Sequence, residues 1–217
     1  MIILGLTGSI GMGKTAASRV LRRMGIPVHD ADAAVHRSFA AAGAAVPAVA
    51  EAFPEAVRDG AVDRQALGRL VFGDPVALAR LEEIVHPLVR EDSRAFLRRC
   101  ALRRAPLAVL DVPLLFETGR ERDCDFTVLV SAPAFIQAQR VLRRPGMTRQ
   151  RLGEIRARQM SDREKRRLAD FVVSTGLGRR ESLRAISRIV RLVRSGRVRR
   201  RRPARWQPSV TGLFPHA

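Results

Sequence analysis

The stretch Gly8-Ser9-Ile10-Gly11-Met12-Gly13-Lys14-Thr15 fits, without a mismatch, the phosphate-binding pattern of glycine, four residues, glycine, lysine and a hydroxyl residue. Before it runs Ile2-Ile3-Leu4-Gly5-Leu6, short and apolar as a buried parallel strand is. After it Ala17, Val20, Leu21 and Met24 recur at helical spacing and form one apolar face. Strand, glycine loop and helix in this order predict a cup of inward-pointing backbone N–H groups, closed by the positive end of the helix dipole.

Polyphosphate replaces water as the partner of those N–H groups, so the residues from Gly8 through Gly13 and on to Ala16 are the expected nucleotide contacts. Lys14 reaches the β- and γ-phosphates as a point charge, and the Thr15 hydroxyl is suited to ligate the Mg2+ that bridges them. A purine nucleoside triphosphate is the expected ligand.

The chain has 217 residues, enough for one main α/β domain with room for a few additional helices. Its formal net charge is +19, but nearly all of the positive charge is arginine, since Lys14 and Lys165 are the only lysines. Such usage also follows from a GC-rich coding bias, so basicity counts only where it clusters. Cys100 and Cys124 form neither a metal pair nor a closely spaced redox motif, which fits a reducing cytoplasm. The chain enters its first strand at once, without a leader pattern, and no apolar run approaches membrane-spanning length, so no membrane partner is expected.

Gly25 closes the first helix, and Ile26-Pro27-Val28-His29 is short enough for a second strand. Asp30-Ala31-Asp32 follows directly. Ligands of open parallel sheets sit beyond the carboxyl ends of the strands, so both carboxylates are expected on the edge that carries the glycine loop. Asp32 is the expected acceptor of the attacking hydroxyl's proton, with Asp30 assisting substrate or Mg2+ placement. The same two residues also suit a helix N-cap and a first-turn charge.

From Ala33 to Arg104 the chain reads as helices broken at Gly43, Pro47, Pro54, Asp59-Gly60 and Gly73-Asp74-Pro75, with no strand. Asp63 and Asp74 are expected N-caps, and His86-Pro87 is expected at a helix boundary, where a histidine serves as a polar contact or a ligand. Such an excursion commonly holds a second substrate. Leu107-Ala108-Val109-Leu110-Asp111 reads as the third strand, and its terminal Asp111 stands where many phosphate-loop proteins keep a carboxylate for Mg2+. Phe126–Val130 is the fourth strand, followed by a helix with Gln137 and Arg140.

The arginines from Arg140 to Arg158, with Pro145-Gly146 at the bend and Thr148 as N-cap, read as a mobile lid whose guanidinium groups neutralise the transferring phosphoryl. Ser161-Asp162-Arg163-Glu164 is a capping box, Ala169–Val173 a fifth strand, and Leu183, Ile186, Val190 and Val193 the face of a closing helix. The organisation expected is a nucleotide-binding core of 1–32, 105–139 and 168–195, a helical substrate domain of 33–104 and a lid of 140–167. A basic, disordered tail of 196–217 completes it.

The assembled motifs resemble the dephospho-coenzyme A kinase family over almost the whole chain. They run from Leu6-Thr7-Gly8 through the loop to Asp30-Ala31-Asp32, His86-Pro87-Leu88 and Pro113-Leu114-Leu115-Phe116-Glu117. Gln139-Arg140, Arg158-Gln159 and Ala169-Asp170-Phe171-Val172-Val173 continue the resemblance. It implies transfer of the γ-phosphoryl of ATP to the ribose 3′-hydroxyl of dephospho-coenzyme A, the last step of coenzyme A synthesis. It further implies a five-stranded parallel phosphate-loop core, a helical substrate domain and a lid. On that resemblance Lys14 and Arg140 grip the triphosphate, Thr15 takes Mg2+ and Asp32 handles the 3′-hydroxyl. Thr7, Asp30, His86, Pro113, Leu114 and Leu115 complete the acceptor cleft. Three features depart from the family pattern: Met12 within the loop, Ser174-Thr175-Gly176 where an Asn is frequent, and the arginine tail after Gly196.

A second reading is a phosphate-loop ATPase bound to nucleic acid through that tail. The lid, the placement of Asp32 and the lack of an aromatic stacking platform weigh against it. The sequence assigns no oligomeric state.

Overall fold

The computed structural model describes residues 1–198. The expected tail of 196–217 therefore lies outside the described residues from position 199 onward. The chain divides into two compact units, one made of Met1–His29 with the chain from Arg98 onward, the other of Asp30–Leu97.

The first unit is built on β1 (Ile2–Thr7), whose last five residues are buried. The glycine loop follows, then α1 (Lys14–Arg23) and β2 (Val28–Asp30). In the second unit come α2 (Ala31–Phe39), α3 (Val46–Ala52), β3 (Val57–Arg58), β4 (Ala61–Val62) and α4 (Arg64–Val71). The long α5 (Pro75–Leu102) leads back to β5 (Leu107–Asp111), and β6 (Phe126–Ser131), α6 (Ala134–Leu142) and α7 (Arg149–Arg158) follow. Finally α8 (Asp162–Leu168), β7 (Phe171–Ser174) and α9 (Arg179–Arg194) close the described chain.

The main sheet has the order β2-β5-β1-β6-β7. β1 pairs in parallel with β5 and with β6, and β6 pairs in parallel with β7. The fold is thus the phosphate-loop type with a five-stranded parallel sheet flanked by helices. Alternation along β1 sends Leu4 and Leu6 into a core shared with Leu21 of α1 and with Ile186, Val190 and Val193 of α9. The opposite side of β1 is tight at Gly5, where a Cβ atom would come within 2.8 Å of both Cys124 Sγ and Leu115 Cδ2. Register places Leu6 beside Asp111, Thr7 beside Leu129, and Ser131 beside Ser174. The carboxyl ends of four strands therefore meet along one edge, next to the loop that leaves Thr7.

Four local expectations need correction. Residues 33–104 do contain strands: β3 and β4 pair antiparallel across Asp59-Gly60. Both turn residues have positive φ, 50° and 71°, as a two-residue hairpin turn of matching twist requires. His86-Pro87 is not a boundary, because α5 continues through Pro87. A proline there removes one N–H donor, and the other turns of a 28-residue helix hold the element together. The fifth strand starts at Phe171 rather than Ala169, because Ala169 N–H still donates to Lys165 O and caps α8. In α9 the buried face takes Ile189, while Leu183 is exposed.

Candidate active site

β1 ends at Thr7, and the Thr7 hydroxyl donates to Pro113 O at 2.9 Å, tying the loop entrance to the segment beyond β5. At Gly8 the chain passes so close to β6 that a Cβ would lie 2.8 Å from Val130 O. Ser9 is buried and its carbonyl accepts the Met12 N–H at 3.1 Å, which curls the loop. Gly13, with φ of 93°, is the left-handed N-cap residue that turns the chain into α1. Its carbonyl accepts the N–H of Ala16 at 3.0 Å, and Thr15 and Ala16 are exposed in the first turn of the helix.

Lys14 extends toward the end of β5, and its Nζ lies 2.7 Å from Asp111 Oδ1. Asp111 is almost fully buried, so the lysine balances a carboxylate that water scarcely reaches. Two hard oxygen donors, the Thr15 hydroxyl and the Asp111 carboxylate, thus flank the loop. Among the described residues no three His, Cys, Asp or Glu side chains gather as a metal cage. That donor set fits Mg2+, which is commonly held by one or two protein oxygens together with substrate phosphates.

Met12 is buried and packs in the core with Leu6 and Leu21, and the Ala132 N–H donates to its Sδ at 3.1 Å. The departure at this position therefore anchors the loop to the end of β6. Gln137 Nε2 donates to Ile10 O at 2.8 Å, and the Ile10 N–H donates to Gln159 Oε1 at 3.3 Å. Arg156 donates twice to Gln137 Oε1, from Nε at 3.0 Å and from Nη2 at 2.7 Å. The segment from α6 to the end of α7 is thereby fastened to the loop by two carboxamides and an arginine.

A dephospho-CoA kinase family model matches residues 2–178. The chain belongs to the dephospho-CoA kinase family. It is 57% identical to the dephospho-CoA kinase of Rhodospirillum rubrum over 218 aligned positions that cover 100% of both chains. Among solved structures, a protein of Thermus thermophilus is 40% identical, with a TM-score of 0.77 over 88% of this chain and 97% of its own. A dephospho-CoA kinase of Campylobacter jejuni, 20% identical, shares the fold with a TM-score of 0.65 over 90% of this chain and 98% of its own.

Among this kinase's other expected site residues, Arg140 sits on α6 with its guanidinium donating to Gly11 O (3.4 Å), Thr175 Oγ1 (3.1 Å) and Thr175 O (2.7 Å). Beyond β5, Leu114 is partly exposed, whereas Leu115 is fully buried against Gly5. Glu117, at the end of that segment, lies 2.7 Å from Nζ of the fully buried Lys165 on α8 and also accepts the Met160 N–H at 3.1 Å. In the second unit Asp30 is the N-cap of α2 and accepts the Ala33 N–H at 3.0 Å, while Asp32 is exposed in the first turn. His86 is half-buried in the middle of α5.

Sequence reasoning missed Thr175 as a partner of the loop and Gln159 as a cap on Ile10. Both positions fall in stretches compared with the family pattern, but local spacing does not reveal their partners, because the contacts span 163 and 149 residues. The pairing of Glu117 with Lys165 had two available signals, the place of Glu117 at the end of the Pro113-Leu114-Leu115-Phe116-Glu117 motif and the survival of Lys165 as one of two lysines in an arginine-rich chain.

Proposed function

We propose that this chain transfers the γ-phosphoryl of ATP to the ribose 3′-hydroxyl of dephospho-coenzyme A, with Lys14 and Arg140 on the triphosphate and Asp32 at the acceptor hydroxyl. The observation that carries the reading is the Lys14–Asp111 pair beside the glycine loop, in a chain whose family is named for this reaction. The loop N–H groups and Lys14 take the place of water around the β- and γ-phosphates. Transfer of this kind has a loose, largely dissociative transition state, so the protein's work is to align the in-line attack and to hold the charge on the equatorial oxygens.

The Asp32 carboxylate accepts the proton of the 3′-hydroxyl as that oxygen bonds to phosphorus and the bridging oxygen leaves with ADP. Asp30 fixes the start of α2 and so the direction of Asp32. Mg2+, when bound with ATP on the Thr15 hydroxyl and Asp111, would neutralise charge on the phosphate oxygens. The Asp30–Leu97 unit, with His86, and Pro113 and Leu114 after β5 are assigned to acceptor binding, while the expected contact Leu115, fully buried against Gly5, supports that segment from the core. Within 140–167, Arg140 and Arg156 are already held beside the loop, and the remaining arginines act as the lid, closing on the phosphoryl group and excluding water. We place the enzyme in the cytoplasm, a reading supported by two buried free thiols. Among the described residues no helix is long and apolar enough to cross a membrane.

The test is release of ADP from ATP and Mg2+ with and without dephospho-coenzyme A, followed with coenzyme A formation in the same vessel. Acceptor-dependent ADP matched one to one by coenzyme A supports the reading. ADP release indifferent to the acceptor would overturn it.

A further inference from the structure

We propose that Thr175 is a positioning residue for ATP, holding the Arg140 guanidinium and the Met12 carbonyl in the arrangement that the triphosphate meets. The inference rests on the assignment of Arg140 and the glycine loop to the triphosphate. Thr175 follows β7 directly, and its N–H donates to Ser131 O at 2.8 Å, so its backbone is fixed to the carboxyl end of β6. Its hydroxyl donates to Met12 O at 2.6 Å inside the loop. The same oxygen accepts from Arg140 Nη1, and its carbonyl accepts from Arg140 Nη2. Two of the three acceptors on the Arg140 fork therefore belong to one residue.

Packing makes the same connection. A Cβ placed on Gly13 would lie 3.1 Å from Thr175 Oγ1 and 3.3 Å from Thr175 Cβ, so the side chain sits directly against the loop residue that precedes Lys14. Thr175 is itself nearly buried, and neither bond is in ready exchange with water. A guanidinium fork held on fixed acceptors loses little rotamer freedom when it meets an anion, which is how a neutral residue contributes to nucleotide affinity without touching the nucleotide. Any hydroxyl at this position serves, because the contacts use Oγ and the backbone, whereas a shape-matched Val lacks both the donor and the acceptor.

The test uses the full chain and compares wild type with Thr175→Val, Thr175→Ser, Arg140→Ala and the Thr175→Val/Arg140→Ala double variant. ATP affinity is measured by calorimetric titration with Mg2+, KM is measured for both substrates, and the melting temperature serves as a fold check. Thr175→Val is expected to weaken ATP about tenfold, the effect of losing a hydrogen bond to a charged group, while KM for dephospho-coenzyme A stays within about twofold. Thr175→Ser restores ATP affinity, and the double variant binds ATP no more weakly than Arg140→Ala alone, because the two residues act as one unit. Thr175→Ala gives the same comparison if the Val variant does not fold. Fully additive losses, or a parallel rise in KM for both substrates, would overturn the inference. Weakened ATP binding in Arg140→Ala with none in Thr175→Val overturns this inference alone. Unchanged ATP binding in both variants removes the Arg140 assignment along with it.

Discussion

Lys14 Nζ lies 2.7 Å from Asp111 Oδ1, so the loop lysine and the carboxylate that ends β5 form one ion pair at the carboxyl edge of the sheet. The pair holds the lysine extended beside the phosphate cup, and β- and γ-phosphate oxygens offer it a richer set of anionic partners. Lys14→Ala is expected to weaken ATP binding by at least about tenfold and to lower turnover by about a hundredfold or more, because the point charge acts in both ground and transition states. Asp111→Asn keeps the shape and loses the charge, so turnover should fall by about tenfold or more with a smaller change in ATP affinity. Titration calorimetry and steady-state rates on the two variants check both statements.

Glu117 and Lys165 form a second ion pair at 2.7 Å, with the lysine sealed from water, and it joins the segment after β5 to α8. Removing one partner leaves the other charge without compensation. Glu117→Ala should therefore destabilise the fold by about 3 kcal/mol, and Glu117→Leu combined with Lys165→Met should recover much of that loss. Urea denaturation of the single and double variants measures it.

The Ser161–Glu164 capping box gives a pH dependence. The Ser161 hydroxyl and N–H hold the Glu164 carboxyl below its ordinary value of 4.5. A carboxylate whose folded value is depressed contributes stability that is complete above its unfolded value and fades as pH falls through the folded one. Glu164→Gln should therefore flatten the decline of melting temperature between about pH 5 and pH 3 relative to wild type, and thermal melts across that range test it.

Burial pushes the thiols of both Cys100 and Cys124 up, Cys124 more strongly. Since the thiolate is the reactive form, the native chain should react only slowly with an aromatic disulfide reagent at pH 8. The urea-unfolded chain should release two equivalents at once.

The parts of the molecule that were legible in sequence are those where a residue acts on its own neighbourhood. Asp63 and Asp74 cap α4 and α5 by accepting N–H groups two and three residues ahead, and Thr148 and Ser161 cap α7 and α8 by accepting the N–H three residues ahead. Such bonds leave a local pattern. The β3–β4 hairpin was hidden because two-residue strands have no period to read, although its Asp59-Gly60 turn was visible as a break. Pro87 was misleading for the opposite reason, since a proline signals a boundary far more often than a helix interior. The loop and the strand-end acids Asp30 and Asp111 were legible because strand, turn and helix constrain where they fall. The contacts that fasten the loop from outside, through Met12, Gln137, Gln159 and Thr175, join distant stretches of chain and depend on the finished sheet.

Asp32 carries the proton-accepting role on which the transfer depends, and the measurement that tests it is coenzyme A formation by Asp32→Asn at saturating ATP, with ATP affinity determined on the same preparation. The expected result is ATP affinity within about twofold of wild type and turnover lowered by about 10²–10⁴-fold, the range of general-base contributions. Near-normal turnover in this variant would contradict the assignment of Asp32 as the acceptor of the 3′-hydroxyl proton.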